Sequence, residues 1–338
     1  MITLLCALAL IGGQGQVPVE HHVATEAVTG DADDPAIWIH PTDPGKSRII
    51  GTDKVEPDKG GGLHVFDLQG KKIQVVPLDR PNNVDVEQGV DLGSGVWDIA
   101  VAAERGKKRL AIYRIDPADG KLVDASGNTS VFASEAGERG APMGIAIYKR
   151  PKDGAVFAIV SRKEGPTEGY LWQYRLVSSA GRIDARFVRS FGSCSEGGEI
   201  EALLVDDALG FVYAAEEKFG IRKYSADPEG PEANREVAVF GKTGFPEDRE
   251  GLGLYATGPK AGFILCSDQR EGGSYLRVFP REGDVHAEIM AIPTKADGTD
   301  GIEVVSSSFP GFPKGFVVMM NSSAKNFLVY PWEKLAGL

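Results

Sequence analysis

Six repeated units of about fifty residues constrain the fold more than any other feature of this sequence. Each unit contains an apolar strand that is headed by an acid in five of the six units. An apolar strand with a charged or polar end and an aromatic-x-aliphatic strand come next, and weaker fourth strands follow. The strands of the first type start at Asp34, Asp85, Met143, Glu201, Glu250 and Asp300. Four strands repeated six times are typical of a β-propeller. We therefore predict an all-β, six-bladed propeller with four antiparallel strands per blade.

The two ends of the repeat indicate how the ring closes. The sixth unit lacks a fourth strand after Tyr330. We expect the segment 17–28 to supply that strand against the last blade, because a closed ring leaves no open sheet edge. The 43 glycines and 20 prolines also favour strands and turns over helices.

No break in composition marks a second domain, so we expect one propeller domain over residues 17–338. Residues 1–16 combine a short apolar run with a small-residue stretch, which we interpret as a signal peptide. This predicts a secreted or periplasmic protein, and the apolar run is too short to span a membrane. We expect a monomer.

The formal net charge of −11 at pH 7 argues against nucleic acid or an anionic membrane as a partner. A small anionic substrate is compatible with this charge, because bound divalent cations reverse its sign locally. An acid surplus in oxygen-rich loops favours calcium over zinc.

Charged residues at strand ends predict a site at one rim of the propeller. The hairpin Ile200–Lys218 returns Glu217 to the end where Glu201 begins, and the other repeats place polar residues at the same end. Crowded carboxylates favour a hard divalent cation, and basic residues among them favour an anionic ligand such as phosphate. The residues expected at this rim are Asp33, Asp34, Asp85, Glu201, Glu216, Glu217, Glu250, Asp268 and Asp300, with Lys54, Arg105, Arg162, Lys163, Lys218 and Arg270.

Other catalytic signatures are absent from the sequence. There is no Gly-x-Ser-x-Gly elbow and no His-Glu-x-x-His motif. The five histidines are scattered, which disfavours a histidine nucleophile or a centre built from several histidines.

Seven short motifs resemble those of the β-propeller phytases, and they occur in order over nearly the whole chain. They are Asp33-Asp34-Pro-Ala-Ile-Trp, Asn82-Asn83-Val84-Asp85, Lys163-Glu164-Gly165, Tyr213-Ala-Ala-Glu216-Glu217, Glu250-Gly251-Leu252, Thr299-Asp300-Gly301-Ile302 and Pro331-Trp332-Glu333. Members of that family are six-bladed, calcium-dependent alkaline 3-phytases that hydrolyse inositol hexakisphosphate (phytate). The resemblance implies the same fold, several calcium ions, and phytate or another phosphate ester as substrate.

The resemblance also implies roles for individual residues. The positions that match ligands of catalytic calcium are Asp33, Glu201, Glu217, Glu250 and Asp300. Those that match ligands of structural calcium are Asp34, the carbonyl of Val84, and Asp297. The positions that match phosphate-binding side chains are Lys54, Arg105 and Lys163. The implied reaction is in-line attack of a calcium-activated water on phosphorus, with Glu201, Glu217, Glu250 and the three cations as the catalytic residues.

Four positions depart from the family pattern. Met143 replaces a tyrosine, Val55 replaces a second lysine beside Lys54, Ala202 replaces a glycine, and Asn321 replaces an acid. These changes predict weaker phosphate affinity or a shift to another phosphate ester. Two alternatives stay open: a propeller esterase or lactonase, and a non-catalytic propeller that binds anions or partner proteins.

Overall fold

The computed structural model describes residues 17–93 and 95–337 of the chain. The predicted signal peptide, residues 1–16, lies outside the described residues. The described residues form six four-stranded antiparallel sheets, which confirms the predicted six-bladed propeller. None of the helices in the ranges 17–93 and 95–337 has the length and apolar character needed to cross a bilayer.

The strands follow one another blade by blade, apart from the N-terminal strand β1 (Val23–Ala24). Blade 1 contains β2 (Ala32–Trp38), β3 (Arg48–Asp53), β4 (Gly62–Phe66) and β5 (Lys72–Pro77). Blade 2 contains β6 (Pro81–Asp91), β7 (Val96–Glu104), β8 (Arg109–Ile115) and β9 (Leu122–Asp124). Blade 3 contains β10 (Pro142–Lys149), β11 (Val156–Arg162), β12 (Glu168–Ser179) and β13 (Arg182–Ser193).

The second half of the chain repeats this order. Blade 4 contains β14 (Ile200–Asp206), β15 (Phe211–Glu216), β16 (Gly220–Ser225) and β17 (Glu236–Phe240). Blade 5 contains β18 (Arg249–Ala256), β19 (Gly262–Asp268), β20 (Tyr275–Pro280) and β21 (Met290–Pro293). Blade 6 contains β22 (Ile302–Val305), β23 (Phe316–Asn321), β24 (Asn326–Pro331) and β1. The helices are short: three 3-10 turns (Pro44–Lys46, Pro57–Lys59, Gly137–Gly140) and α1 (Trp332–Leu335).

The N-terminal strand closes the ring, as the sequence predicts. Val23 pairs with Val329 and Ala24 pairs with Leu328, so β1 forms the outer strand of blade 6. The first strand of each blade lies innermost and contacts its neighbours, and β2 of blade 1 contacts β22 of blade 6. Main-chain hydrogen bonds therefore join the first and last strands of the described part of the chain.

Apolar side chains fill the spaces between the blades. One buried cluster lies between each pair of neighbouring blades. Between blades 6 and 1, for example, Ile49 and Phe66 pack against Val318 and Phe327. The central channel, by contrast, is lined both by apolar side chains such as Ile37 and Leu203 and by carboxyl groups such as Asp85 and Glu87.

Five of the six inner strands begin with a β-bulge. In β14, for example, regular pairing with β15 is interrupted between Ile200 and Leu203, and β2, β6, β10 and β18 show the same interruption. A bulge bends its strand and redirects the side chains of the unpaired residues. The two unpaired residues in each bulge are Asp33 and Asp34, Asn82 and Asn83, Met143 and Gly144, Glu201 and Ala202, and Glu250 and Gly251.

The central channel encloses a cavity of about 490 Å³ with carboxyl groups at the end remote from the bulges. The Lys149 ammonium lies 2.5 Å from a Glu87 carboxylate oxygen. Asp207 accepts a hydrogen bond of 3.0 Å from the main-chain N–H of Lys149, and its side chain also hydrogen-bonds to Glu87. Burial, followed by repulsion from Glu87, raises the pKa of Asp207 to about 8. Asp207 therefore keeps its proton at neutral pH.

We predict that Asp207→Asn stabilises the protein at alkaline pH. The folded-state pKa lies above the unfolded value of about 3.9, so the Asp207 contribution to stability is lost as pH rises from about 4 to about 8. An asparagine accepts from Lys149 and donates to Glu87 at every pH. The variant should gain melting temperature over the wild type at pH 9 and much less at pH 6. Asp119→Asn, at an exposed site, is the control, and an equal gain at both pH values for Asp207→Asn would contradict the prediction.

Candidate metal centre at the channel entrance

The bulges place one ring of side chains around the entrance of the channel. Each bulge contributes its first unpaired residue, and Asp300 occupies the corresponding position just before β22. The members of this ring are Asp33, Asn82, Met143, Glu201, Glu250 and Asp300. All are more than nine-tenths buried except Asp300, which is partly buried.

A second ring comes from the residues that follow the second strand of each blade. Side chains alternate in direction along a strand, so the last strand residue and the next residue face opposite ways. The structure places Lys54, Arg105, Lys163 and Glu217 at this next position in blades 1 to 4. In blade 5 the position is held by Gln269, whose amide donates to Asp300.

Three glutamates form the centre of the site. Carboxylate oxygens of Glu201, Glu217 and Glu250 all lie within 4.8 Å of one another, close enough to hold one metal ion. Glu201 and Glu250 come from bulges in blades 4 and 5, whereas Glu217 comes from the second ring. Hairpin β14–β15 brings Glu201 and Glu217 together, and the neighbouring blade adds Glu250.

Burial and repulsion from neighbouring carboxylates raise the pKa values of two of these carboxyl groups. Burial, followed by repulsion from Glu201 and Glu217, raises the pKa of Glu250 to about 10. Burial, followed by repulsion from Glu199 and Glu201, raises the pKa of Glu217 to about 7. A cation bound among these groups would replace the protons and relieve the repulsion.

Lys54 bridges two further acids of the first ring. Its ammonium lies 2.7 Å from Asp33 Oδ1 and 3.6 Å from Asp300 Oδ2. Burial alone would lower the pKa of Lys54, but Asp33 and then Glu201 raise it overall. Lys54 therefore remains charged at the edge of the cluster.

Buried oxygens without partners support a cation at this entrance. Among the described residues, Asp33 Oδ2 and Asn82 Oδ1 are buried and accept no hydrogen bond. An unpaired buried oxygen is costly, and a bound cation supplies the missing partner. Every candidate ligand is an oxygen donor, as calcium prefers. The residues present therefore fit calcium.

The last residues of the second strands point away from this site, which corrects part of the sequence prediction. Glu216 accepts from Arg222 and from the main-chain N–H of Ser195, and Asp268 accepts from Arg270 and Arg277. Arg162 is 1% exposed and donates to main-chain carbonyls of residues 169 and 170. These charged groups hold neighbouring strands and loops within their own blades. Lys218 is mostly exposed and pairs with Asp248.

Asp85 was expected at the rim but lies deeper in the channel. Its carboxylate accepts from the main-chain N–H groups of Val86 and Ile147. The bulge aligns Asn82, not Asp85, with Glu201 and the other ring members. The sequence signal was a polar residue two positions before an aliphatic residue or proline. Asn82 and Val84 share this pattern with four of the other five repeats, the exception being the repeat with Met143.

The three positions matched to structural calcium lie outside the glutamate cluster. Asp34 Oδ2 accepts a 3.0 Å hydrogen bond from the Val84 main-chain N–H, and so joins blades 1 and 2. Asp297 lies between β21 and β22, where its carboxylate accepts from Gly272 and its main-chain N–H donates to Asn321. Asn321, the position that replaces an acid, thus anchors the Asp297 backbone.

The other departures from the family pattern are accommodated locally. Met143 is buried, and its sulfur contacts the Arg105 guanidinium, which pairs with no carboxylate among the described residues. Ala202 is 2% exposed and is the second unpaired residue of the bulge in blade 4. The equivalent residue in blade 3, Gly144, lies so close to the Glu201 carbonyl that a Cβ atom there would clash. The Lys163 ammonium pairs with Glu199. Arg105 is thus the cation of the second ring that lacks an acidic partner in ranges 17–93 and 95–337.

The adjacent residues Glu216 and Glu217 provide a matched test, because the Glu216 side chain contacts Arg222 whereas the Glu217 side chain lies in the glutamate cluster. We predict that Glu216→Gln lowers the free energy of unfolding by about 3 kcal/mol, because it breaks a buried pair with Arg222. Its calcium affinity should be unchanged. Glu217→Gln should weaken calcium binding about tenfold or more, because it removes a charge from the cluster. Thermal unfolding and calcium titration calorimetry measure both, and the reverse pattern would contradict the assignment.

Comparison with known proteins gives both fold and family. The described propeller superposes on a protein from Lactobacillus plantarum with a TM-score of 0.56 and 18% identity, covering 90% of this chain and 82% of that one. A calcium-binding regucalcin from Agrobacterium tumefaciens gives a TM-score of 0.53 at 12% identity, covering 94% and 97%. At these identities the likeness shows the fold alone.

Sequence comparison is more specific. The chain is 33% identical over 340 residues to a 3-phytase of Bacillus subtilis (strain 168), covering 94% of this chain and 84% of that protein. The family model described as Phytase matches residues 7–336. With its propeller fold and this match over nearly its whole length, the chain belongs to the phytase family.

Proposed function

We propose that this protein is a calcium-dependent 3-phytase that releases phosphate from myo-inositol hexakisphosphate. The observation that carries the proposal is the ring of acids beside Lys54, Arg105 and Lys163 at one entrance, in a chain of the phytase family. The Bacillus subtilis relative is itself a 3-phytase.

The charge balance of the entrance explains why a cation is needed. The acids Asp33, Glu201, Glu217, Glu250 and Asp300 outnumber the cations of the second ring, and Lys163 is already paired with Glu199. Without a bound cation, burial and repulsion keep some of these acids protonated and the remaining carboxylates offset the basic groups, so this surface has no excess positive charge to attract a phosphate ester. Calcium bound to the acids reverses the local sign, so that the same surface attracts phosphate.

The protein residues bind and orient, and the ion supplies the chemistry. Glu201, Glu217 and Glu250 hold the cation, with Asp33 and Asp300 beside them. When bound, calcium would activate the attacking water and neutralise charge on the phosphate oxygens. Lys54, Arg105 and Lys163 orient the phosphate and stabilise the charge that develops on its oxygens. Arg105 is best placed to do so, since no carboxylate competes for it.

Further ions would serve structure. Asp34, the Val84 carbonyl and Asp297 are proposed ligands of structural calcium, and Asp34 and Val84 lie where blades 1 and 2 meet. We also propose that residues 1–16 direct export of a monomeric single-domain propeller, residues 17–338, to a secreted or periplasmic location. Mass spectrometry of the exported protein tests the cleavage site.

We predict that the purified protein releases phosphate from phytate in millimolar calcium and not in excess chelator. Inorganic phosphate is measured over time, with a chelator control to which calcium is added back. Glu250→Gln should reduce the rate at every calcium concentration. No release from folded protein in calcium would contradict the proposal, and phytate binding without release would favour a non-catalytic propeller.

Substitution of Arg105 distinguishes a phytase from a propeller esterase or lactonase. Arg105→Ala should lower kcat/KM for phytate about 10- to 100-fold, as expected for loss of a charged hydrogen bond. Lys107→Ala is the matched control, because Lys107 is 53% exposed and pairs with Glu104. Unchanged phosphate release by Arg105→Ala, together with hydrolysis of a carboxylic ester or lactone, would favour the alternative.

Calcium should also stabilise the fold. Ligands that bind only the folded state raise stability by mass action. Excess chelator should therefore lower the melting temperature by several degrees, and added calcium should restore it. An unchanged melting temperature would exclude calcium as a structural ligand.

A further inference from the structure

We propose that Asn82 is a positioning residue of the calcium centre, because its side chain fixes the orientation of Glu201. This inference rests on the proposed function. Asn82 is fully buried in the bulge that begins β6, and it reaches from blade 2 to blade 4 across the channel entrance.

The geometry identifies an acceptor for each of the two protons on the Asn82 side-chain amide. Its Nδ2 donates to Glu201 Oε1 at 2.8 Å and to Asn83 Oδ1 at 2.8 Å. Rotating the amide by 180° would place its oxygen against two other oxygens, so this orientation is the one that satisfies both acceptors. Asn82 Oδ1 consequently faces away from Glu201 Oε1 and has no partner.

Asn82 is the one side chain in the described ranges 17–93 and 95–337 that hydrogen-bonds to Glu201. The other charged groups around Glu201 include Asp33, Glu217 and Glu250, which repel it. The N–H donor holds Oε1 at a fixed point and leaves Oε2 free for the cation. Hydrogen-bond donors to metal-binding carboxylates set ligand orientation in this way.

The position of Asn82 in the ring supports the assignment. It occupies the same bulge site as Asp33, Glu201 and Glu250, yet it is neutral. An ionised acid at this point would repel Glu201 and could donate no hydrogen bond to it. The ring therefore pairs a neutral donor with a carboxylate across the entrance.

Calcium titration calorimetry and phytate hydrolysis of Asn82→Ala and Asn82→Leu test this role. Both variants should bind calcium about 10- to 100-fold more weakly than the wild type. The calcium concentration for half-maximal phosphate release should rise by a similar factor. Asn82→Leu keeps the side-chain size without a donor or a charge, so it remains informative if Asn82→Ala fails to fold.

Gln173→Ala is the matched control, since Gln173 is another fully buried side-chain amide, which lies in β12, donates to the Ala226 carbonyl and accepts from Arg189. It should lower the melting temperature without changing calcium affinity. Wild-type calcium affinity in folded Asn82→Leu, with unchanged kcat/KM, would overturn the inference. Absence of calcium binding and phosphate release in the wild type would instead refute the proposed function.

Discussion

The site depends on one constraint, the bulge that interrupts the hydrogen-bond ladder at the start of five of the six inner strands. A regular strand would alternate its side chains between the two faces of its blade. The bulge removes two residues from that alternation and turns the first of them toward the entrance, as at Glu201 and Glu250. Five of the six blades contain this bulge, so the arrangement of the blades around the channel concentrates polar groups at the channel entrance.

The ring is an unfavourable collection of charges that the rest of the propeller must hold in place. Six apolar clusters between the blades and the pairing of β1 with β24 fix the blades relative to one another. Within the blades, buried acids such as Glu216 tie strands and loops to arginines such as Arg222. A rigid frame of this kind can keep Glu201, Glu217 and Glu250 close together despite their repulsion.

Much of the fold followed from the residues themselves. The period of about fifty residues predicted six blades, and the missing fourth strand after Tyr330 predicted closure by the N-terminal segment. Hairpin β14–β15 predicted that Glu201 and Glu217 would meet. These inferences rest on local spacing, which the sequence displays directly. Family resemblance added the candidate ligands at Asp33, Glu250 and Asp300.

The sequence by itself determined the repeat, the closed propeller and the family, because apolar periodicity and motif order are properties of the chain. Tertiary structure decided which polar residues face the channel. Asn82 rather than Asp85 joins the ring, and Glu216 turns outward while Glu217 turns inward. The physical reason is register: one bulge changes which side chains share a face, and a bulge leaves no certain mark in the sequence.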